Sequence, residues 1–268
     1  MITTIGDRTA AVPASAQSGA YVGGDLHSLV VDPTDPNHVF IGGHDGAVES
    51  IDGGRTFRQI ATLASIDAMG WSISNDGQTL VVGGHSGLRL SRDGGRSWQD
   101  LTRRLPTSDV HGLGMDPASV THWWAYLTGR GVFQTRDAGQ SWSFLGGADL
   151  MIMGPILPTA GGQLLSTDMQ RGLIRSTDGG RNWSVVARYM ATWLANDPKQ
   201  PNLLWGAGNG VSVSANGGST WRTVSGWPAG ASAVGVGSDG RIYAGVLSSN
   251  RATVYLSTDD GATWQHVS

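Results

Sequence analysis

The sequence predicts an all-β fold, a six-bladed β-propeller of four-stranded antiparallel blades. Three observations predict it. One phrase recurs six times, first as Ser50-Ile51-Asp52-Gly53-Gly54-Arg55-Thr56-Phe57. Its central residues, Asp52, Asp93, Asp137, Asp178, Asn216 and Asp259, are separated by 41, 44, 41, 38 and 43 residues, the period of a repeated supersecondary unit. Each period also holds strand-like runs joined by turn residues, which makes four short strands per unit, here called A to D.

Within a copy, the acid can accept bonds from backbone N–H groups ahead of it, while the glycines supply positive φ without steric cost. The phrase therefore turns strand C into strand D. The aromatic residue that ends it, Phe57, Trp98, Trp142, Trp183, Trp221 or Trp264, opens strand D as a packing wedge between units. In the first unit, runs 28–31 and 39–42 flank Asp32-Pro33-Thr34-Asp35-Pro36-Asn37. In the second, runs 70–74 and 79–82 flank Asn75-Asp76-Gly77. The corresponding turns are Asp116-Pro117, Ala160-Gly161-Gly162, Asp197-Pro198 and Asp239-Gly240, and the sixth unit closes with a strand over 264–267. The units form one domain over 21–268. Residues 1–20, rich in Thr, Ala and Ser, form an extension that either frays or latches the last blade.

The repeated phrase resembles the Asp-box, or BNR repeat, over nearly the whole chain from about Gly24 to Ser268. Families that carry it include sialidases, some glucan hydrolases, sortilin-type receptors and a photosystem II assembly factor. The resemblance implies that the six box residues are structural corners on the propeller's periphery. It also implies a secreted, periplasmic or cell-surface protein. Asn216 departs from the pattern in place of an acid, and Ala138 in place of a glycine.

Composition excludes several classes. A net charge of −3 provides no electrostatic footprint for nucleic acid or an anionic membrane. No run of residues reads as a membrane span or a signal peptide. The absence of cysteine excludes disulfides and thiolate ligands. No motif indicates a nucleotide or an organic cofactor, and the expected state is a monomer.

Aligning the blades on strand A exposes a second phrase: Asp25-Leu26-His27, Asp67-Ala68-Met69, Asp109-Val110-His111 and Asp149-Leu150-Met151. The fifth and sixth blades place Thr192 and Ser232 there instead. Strand A starts on the propeller face where strand B ends, so His27, Met69, His111 and Met151 are expected to ring the axis. His44, His85 and Met169, in the B-to-C turns, are expected farther out. Imidazole and thioether together suit copper, and the carboxylates suit a harder ion such as zinc. A transition-metal site in the axial funnel, copper favoured, is thus one reading. The other is structural: a single histidine often satisfies a local hydrogen bond, methionine fills irregular space, and the repeated Asp caps a turn.

Two further functions are framed by the resemblance. A sialidase needs three arginines on the substrate carboxylate, a Tyr/Glu nucleophile pair, an Asp acid and an Arg-Ile-Pro motif. That motif is absent, only Arg130 and Arg171 fall on the expected face, and Glu49 lies on a C strand away from the axis. Another glycoside hydrolase would use two of Asp25, Asp67, Asp109 and Asp149, with Trp71, Trp193 and Trp205 as stacking surfaces. The alternative for the indoles of Trp71 and Trp193 is packing between blades. A non-catalytic propeller would bind a protein or glycan through exposed Trp123, Trp124 and Trp227, the first two on an A-to-B turn.

Overall fold

The computed structural model describes residues 19–268, apart from 201 and 227. Residues 1–18 of the expected extension, and Trp227, lie outside the described residues. Six antiparallel sheets follow one another along the chain. Blade 1 holds β2 (Leu26–Val31), β3 (Val39–Gly43), β4 (Gly46–Ser50) and β5 (Arg58–Gln59). Blade 2 holds β6 (Gly70–Ile73), β7 (Leu80–Gly84), β8 (Gly87–Ser91) and β9 (Gln99–Asp100). Blade 3 holds β10 (Val110–Asp116), β11 (Ser119–Leu127), β12 (Gly131–Thr135) and β13 (Ser143–Gly146). Blade 4 holds β14 (Leu157–Thr159), β15 (Gln163–Asp168), β16 (Gly172–Ser176) and β17 (Ser184–Ala187). Blade 5 holds β18 (Trp193–Asn196), β19 (Leu204–Ala207), β20 (Val211–Ser214) and β21 (Arg222–Thr223). Blade 6 holds β22 (Ala231–Val236), β23 (Ile242–Ser248), β24 (Arg251–Ser257) and β25 (Gln265–His266).

The inner strands β2, β6, β10, β14, β18 and β22 pack side by side around the axis, and β22 meets β2 to close the ring. The closure is reinforced by a strand from the chain's start. β1 (Ala20–Tyr21) pairs with β24 on the same edge that β25 occupies farther along. The chain then runs directly into blade 1, where the Tyr21 hydroxyl donates to Asp45 Oδ2 at 2.6 Å. One segment therefore ties the last blade to the first, although blade 6 also supplies all four of its own strands.

Each repeated phrase folds into the same hydrogen-bonded corner. In blade 1, Asp52 Oδ1 accepts from the Ser50 hydroxyl and from the N–H groups of Arg55 and Thr56, while Oδ2 accepts from the Thr56 hydroxyl. The buried Ser50 Oγ in turn accepts from Gly54 N–H at 2.8 Å. The same pattern holds for the acids Asp93, Asp137, Asp178 and Asp259. Donation from the Ser97 hydroxyl and backbone holds the Asp93 carboxyl down at about 2, and Ser141 does the same for Asp137. Asn216 preserves the geometry with one bond reversed: its Oδ1 accepts from Thr220 N–H, but its Nδ2 donates to the Thr220 hydroxyl. Ala138 adopts the glycine-like φ of 55° that its position requires.

The corners also join neighbouring blades. The Trp124 indole donates to Gly179 O in the corner of blade 4, and Arg175 donates to Gly217 O in the corner of blade 5. Tyr243 of blade 6 donates to Pro36 O of blade 1. Trp71, Trp123, Trp124, Trp193 and Trp205 are all buried among apolar neighbours. The expectation of exposed indoles at Trp123 and Trp124 is therefore corrected. β11 starts at Ser119, so both residues lie within strand B and not on the A-to-B turn, and Trp123 Nε1 is spent on Val120 O.

Away from the axis, Glu49 on β4 accepts from Arg58 and faces His38 Nε2 at 3.0 Å, while Asp32 approaches His38 Nδ1 at 3.3 Å. Burial by itself would lower the His38 pKa, but the two carboxylates outweigh it and raise the imidazole to about 9. A raised histidine stabilises the fold fully below its unfolded value of about 6.5 and loses that contribution as pH climbs through about 9. The melting temperature should therefore decline across that window, and His38→Gln should flatten the decline; an identical decline in the variant would contradict the assignment. At the corner, Ser176→Ala leaves the buried Gly180 N–H without its acceptor and should cost about 1–3 kcal/mol in urea unfolding. Ser176→Thr should cost far less, since Thr135 fills the same role in blade 3.

Candidate metal centre

The inner strands do not start uniformly. In β2, Leu26 pairs with Gly43 and Ser28 with Gly42, so His27 is an extra residue with no partner across the ladder. In β10, His111 is skipped in the same way between Val110 and Gly112, and in β22 Ser232 is skipped between Ala231 and Ala233. A bulge at a strand's start turns its extra residue out of the pleat, here toward the axis. In blade 4 the bridge from Ile152 to Asp168 corresponds to the Leu26–Gly43 pair, which places Met153 in the position of His27. His27, Met69, His111 and Met153 then recur at a constant interval of 42 residues.

The ring residue of blade 4 is therefore Met153, and Met151 lies two residues before it. Met151 is exposed, and its sulfur accepts from Gln170 Nε2. Asp149 is likewise out of register, exposed and paired with Arg171 at 2.6 Å. His27, Met69, Met153, Met169, Thr192 and Ser232 line one funnel, and His111 reaches it by placing Nδ1 at 3.1 Å from Met153 Sδ. The other side of the funnel is internally satisfied, since the Thr192 hydroxyl donates to Ser232 O.

Asp67 lies at the centre of a cluster of imidazoles. Its Oδ1 is 2.8 Å from His27 Nε2, and its Oδ2 is 2.5 Å from His85 Nδ1 and 3.5 Å from His44 Nδ1. His85 Nε2 on the far side of the ring is 3.0 Å from His111 Nε2 and 3.7 Å from Asp109 Oδ1, and Asp109 Oδ1 is 3.0 Å from His111 Nε2. The ligand atoms of Asp25, His27 and His44 lie within 4.8 Å of one another, as do those of His85, Asp109 and His111. All the residues of both sets come from blades 1, 2 and 3, on the face opposite the corners.

The short distances pair the carboxylates of Asp67 and Asp109 with imidazoles as ion pairs, and His85 and His111 meet ring nitrogen to ring nitrogen. His27 Nε2, both oxygens of Asp67 and Asp109 Oδ1 are buried, yet none has an aligned hydrogen-bond partner among the described residues. Buried polar atoms are normally hydrogen-bonded, and these four instead meet oppositely charged groups at close range without hydrogen-bond alignment, a donor set whose residue types suit a cation. Burial alone would raise the Asp67 carboxyl, but His27 above all, with His85 and His44, holds it below the usual range. Burial is also the main reason the His111 pKa is lowered, which favours the neutral imidazole that a metal requires.

Close backbone contacts aim Asp67. It sits in the loop from β5 to β6 at a positive φ of 51°, a left-handed conformation that aspartate adopts more readily than most residues. Ala68 N–H donates to Gly43 O, and the Ser28 hydroxyl donates to Ala68 O, which fastens this loop onto blade 1. A Cβ on Gly84 would meet Asp67 O at 1.8 Å, so only glycine lets β7 pass so near.

No protein-family model and no curated protein matches this sequence. Among solved structures, the chain is similar to YCF48 bound to a D1 peptide, with 15% identity, a TM-score of 0.53 and coverage of 93% of this chain and 84% of that one. It is also similar to a GH74 xyloglucanase from Xanthomonas campestris, with 16% identity, a TM-score of 0.60 and coverage of 93% of this chain but 46% of the enzyme. A nidogen/laminin complex contains a further similar chain, at 14% identity and a TM-score of 0.65, with 82% and 88% covered. These likenesses, at 14–16% identity, establish the β-propeller fold. Among the described residues no helix is long and apolar enough to cross a membrane.

Gly84→Ala should force Asp67 out of place and destabilise the fold by about 1–3 kcal/mol. An unchanged urea midpoint would show that the Asp67 loop does not depend on this contact.

Proposed function

We propose that this propeller binds a transition-metal ion in the axial funnel through the histidines and aspartates of blades 1 to 3. The observation that carries the reading is the convergence of four imidazoles on Asp67 and Asp109, with His27 Nε2 and three carboxylate oxygens buried and unaligned. Imidazole with carboxylate is a ligand set for Zn(II) and Cu(II). The thioether of Met153 beside His111, with Met69 and Met169 in the funnel wall, adds the softer donors that copper accepts in its reduced state. Copper is the ion we favour and zinc the alternative.

Glycoside hydrolysis has less support. Trp71, Trp193 and Trp205 are buried and cannot stack on a sugar, and Asp149 lies outside the cluster, paired with Arg171. Binding of a protein partner, as in the YCF48 and laminin complexes, would leave the His/Asp cluster without a role.

Protein purified without chelator should retain copper or zinc by elemental analysis. Apo protein should bind Cu(II) or Zn(II) in titration, and His27→Ala and Asp67→Asn should each weaken binding at least about 10-fold with the melting temperature retained. Metal content and affinity untouched by both substitutions would remove the proposal.

A further inference from the structure

The seven ligating side chains around Asp67 and Asp109 exceed the four that a single zinc or copper ion ordinarily takes from a protein. They also divide. The first set, Asp25, His27 and His44, belongs to blade 1; the second, His85, Asp109 and His111, comes from blades 2 and 3. Each set contains two imidazoles and one carboxylate, which leaves positions for a further ligand or water. Asp67 belongs to neither set and touches both.

We propose that the funnel holds two metal ions, one in each set, and that Asp67 couples them. This rests on the metal-binding reading above and extends it. Asp67 Oδ1, at 2.8 Å from His27 Nε2, is the carboxylate oxygen that a first ion on His27 would meet. Oδ2, at 2.5 Å from His85 Nδ1, holds that imidazole with Nε2 directed at His111 and Asp109. A carboxylate on the far nitrogen of a metal-binding histidine fixes the ring's tautomer and orientation and strengthens it as a ligand. Asp67 therefore ligates the first ion directly and positions a ligand of the second through the His85 ring.

The burial pattern fits two loaded sites with an open side. Asp67 is 6% exposed and its buried charge is offset by the imidazoles of His27, His85 and His44, the same groups that would surround the ions. Three carboxylates, Asp25, Asp67 and Asp109, offset most of the charge of two divalent ions held this close. The side chains of His44 and His85 are about half exposed, at 57% and 51%, which gives each set one imidazole at the mouth where an ion can enter.

The test is metal stoichiometry and site dependence in the full chain, stripped with chelator and titrated with Zn(II) by calorimetry and with Cu(II) by electron paramagnetic resonance. Two equivalents per chain are expected. His44→Ala and His111→Ala should each retain one, and Asp67→Asn should weaken both at least about 10-fold, because it removes a ligand from one and the orienting group from the other. Melting curves of each apo variant separate loss of a site from loss of the fold. One equivalent in the unmodified chain, abolished by either histidine substitution, would overturn the two-ion inference and leave the proposed function standing. Two equivalents indifferent to both substitutions, or none at all, would overturn both. Weakening of only one site in Asp67→Asn would overturn the coupling.

Discussion

The buried hydroxyl at each corner, Ser50 in the first blade and its five counterparts, meets two needs at once. It accepts the N–H of a glycine four residues on, a group that burial would otherwise leave unpaired, and it donates to the acid that organises the rest of the turn. With strands C and D locked in this way, the glycine face of the corner lies against the preceding blade, as Gly95 does against Phe40. The corner is therefore a unit of blade structure and a unit of blade packing. Six of them, with the Ala20–Tyr21 strand tying the ends, hold the inner strands in a closed ring.

A ring that closes on its periphery is free to be irregular at its centre. The corners are nearly identical, whereas the axial positions run from His27, Met69, His111 and Met153 to Thr192 and Ser232. The bulges at His27 and His111 turn those side chains inward, and the Asp67 loop, which passes close to Gly84, sets a carboxylate at the start of blade 2 against an imidazole of blade 1. The result is lopsided: blades 1 to 3 present imidazole and carboxylate, while the Thr192 hydroxyl is spent on Ser232 O and the Ser232 hydroxyl on Leu26 O. That asymmetry separates the candidate metal centre from the scaffold in physical terms.

Much of this was legible in the sequence, and the parts that were not share a cause. The corner acids, the strand count and the face carrying the histidines follow from a period that local turn chemistry repeats. Met153 is missed because Asp149-Leu150-Met151 mimics the Asp-x-His pattern two residues early; only the constant 42-residue interval distinguishes the true position. Trp123 and Trp124 are misplaced because β11 runs for nine residues and shortens the turn assigned to them. The role of Asp67 has no periodic signal at all, since it depends on one left-handed residue and on contacts across a blade boundary.

The central claim is that the cluster around Asp67 is a metal site and not a set of self-satisfied polar groups. Diffraction from metal-soaked crystals, recorded at the absorption edge of zinc or copper, tests it most directly. The account predicts anomalous density bonded to His27 Nε2 and Asp67 at about 2.0–2.2 Å. Density confined to histidines elsewhere, such as His38, His122 or His266, with the Asp67 cluster unchanged, would contradict it.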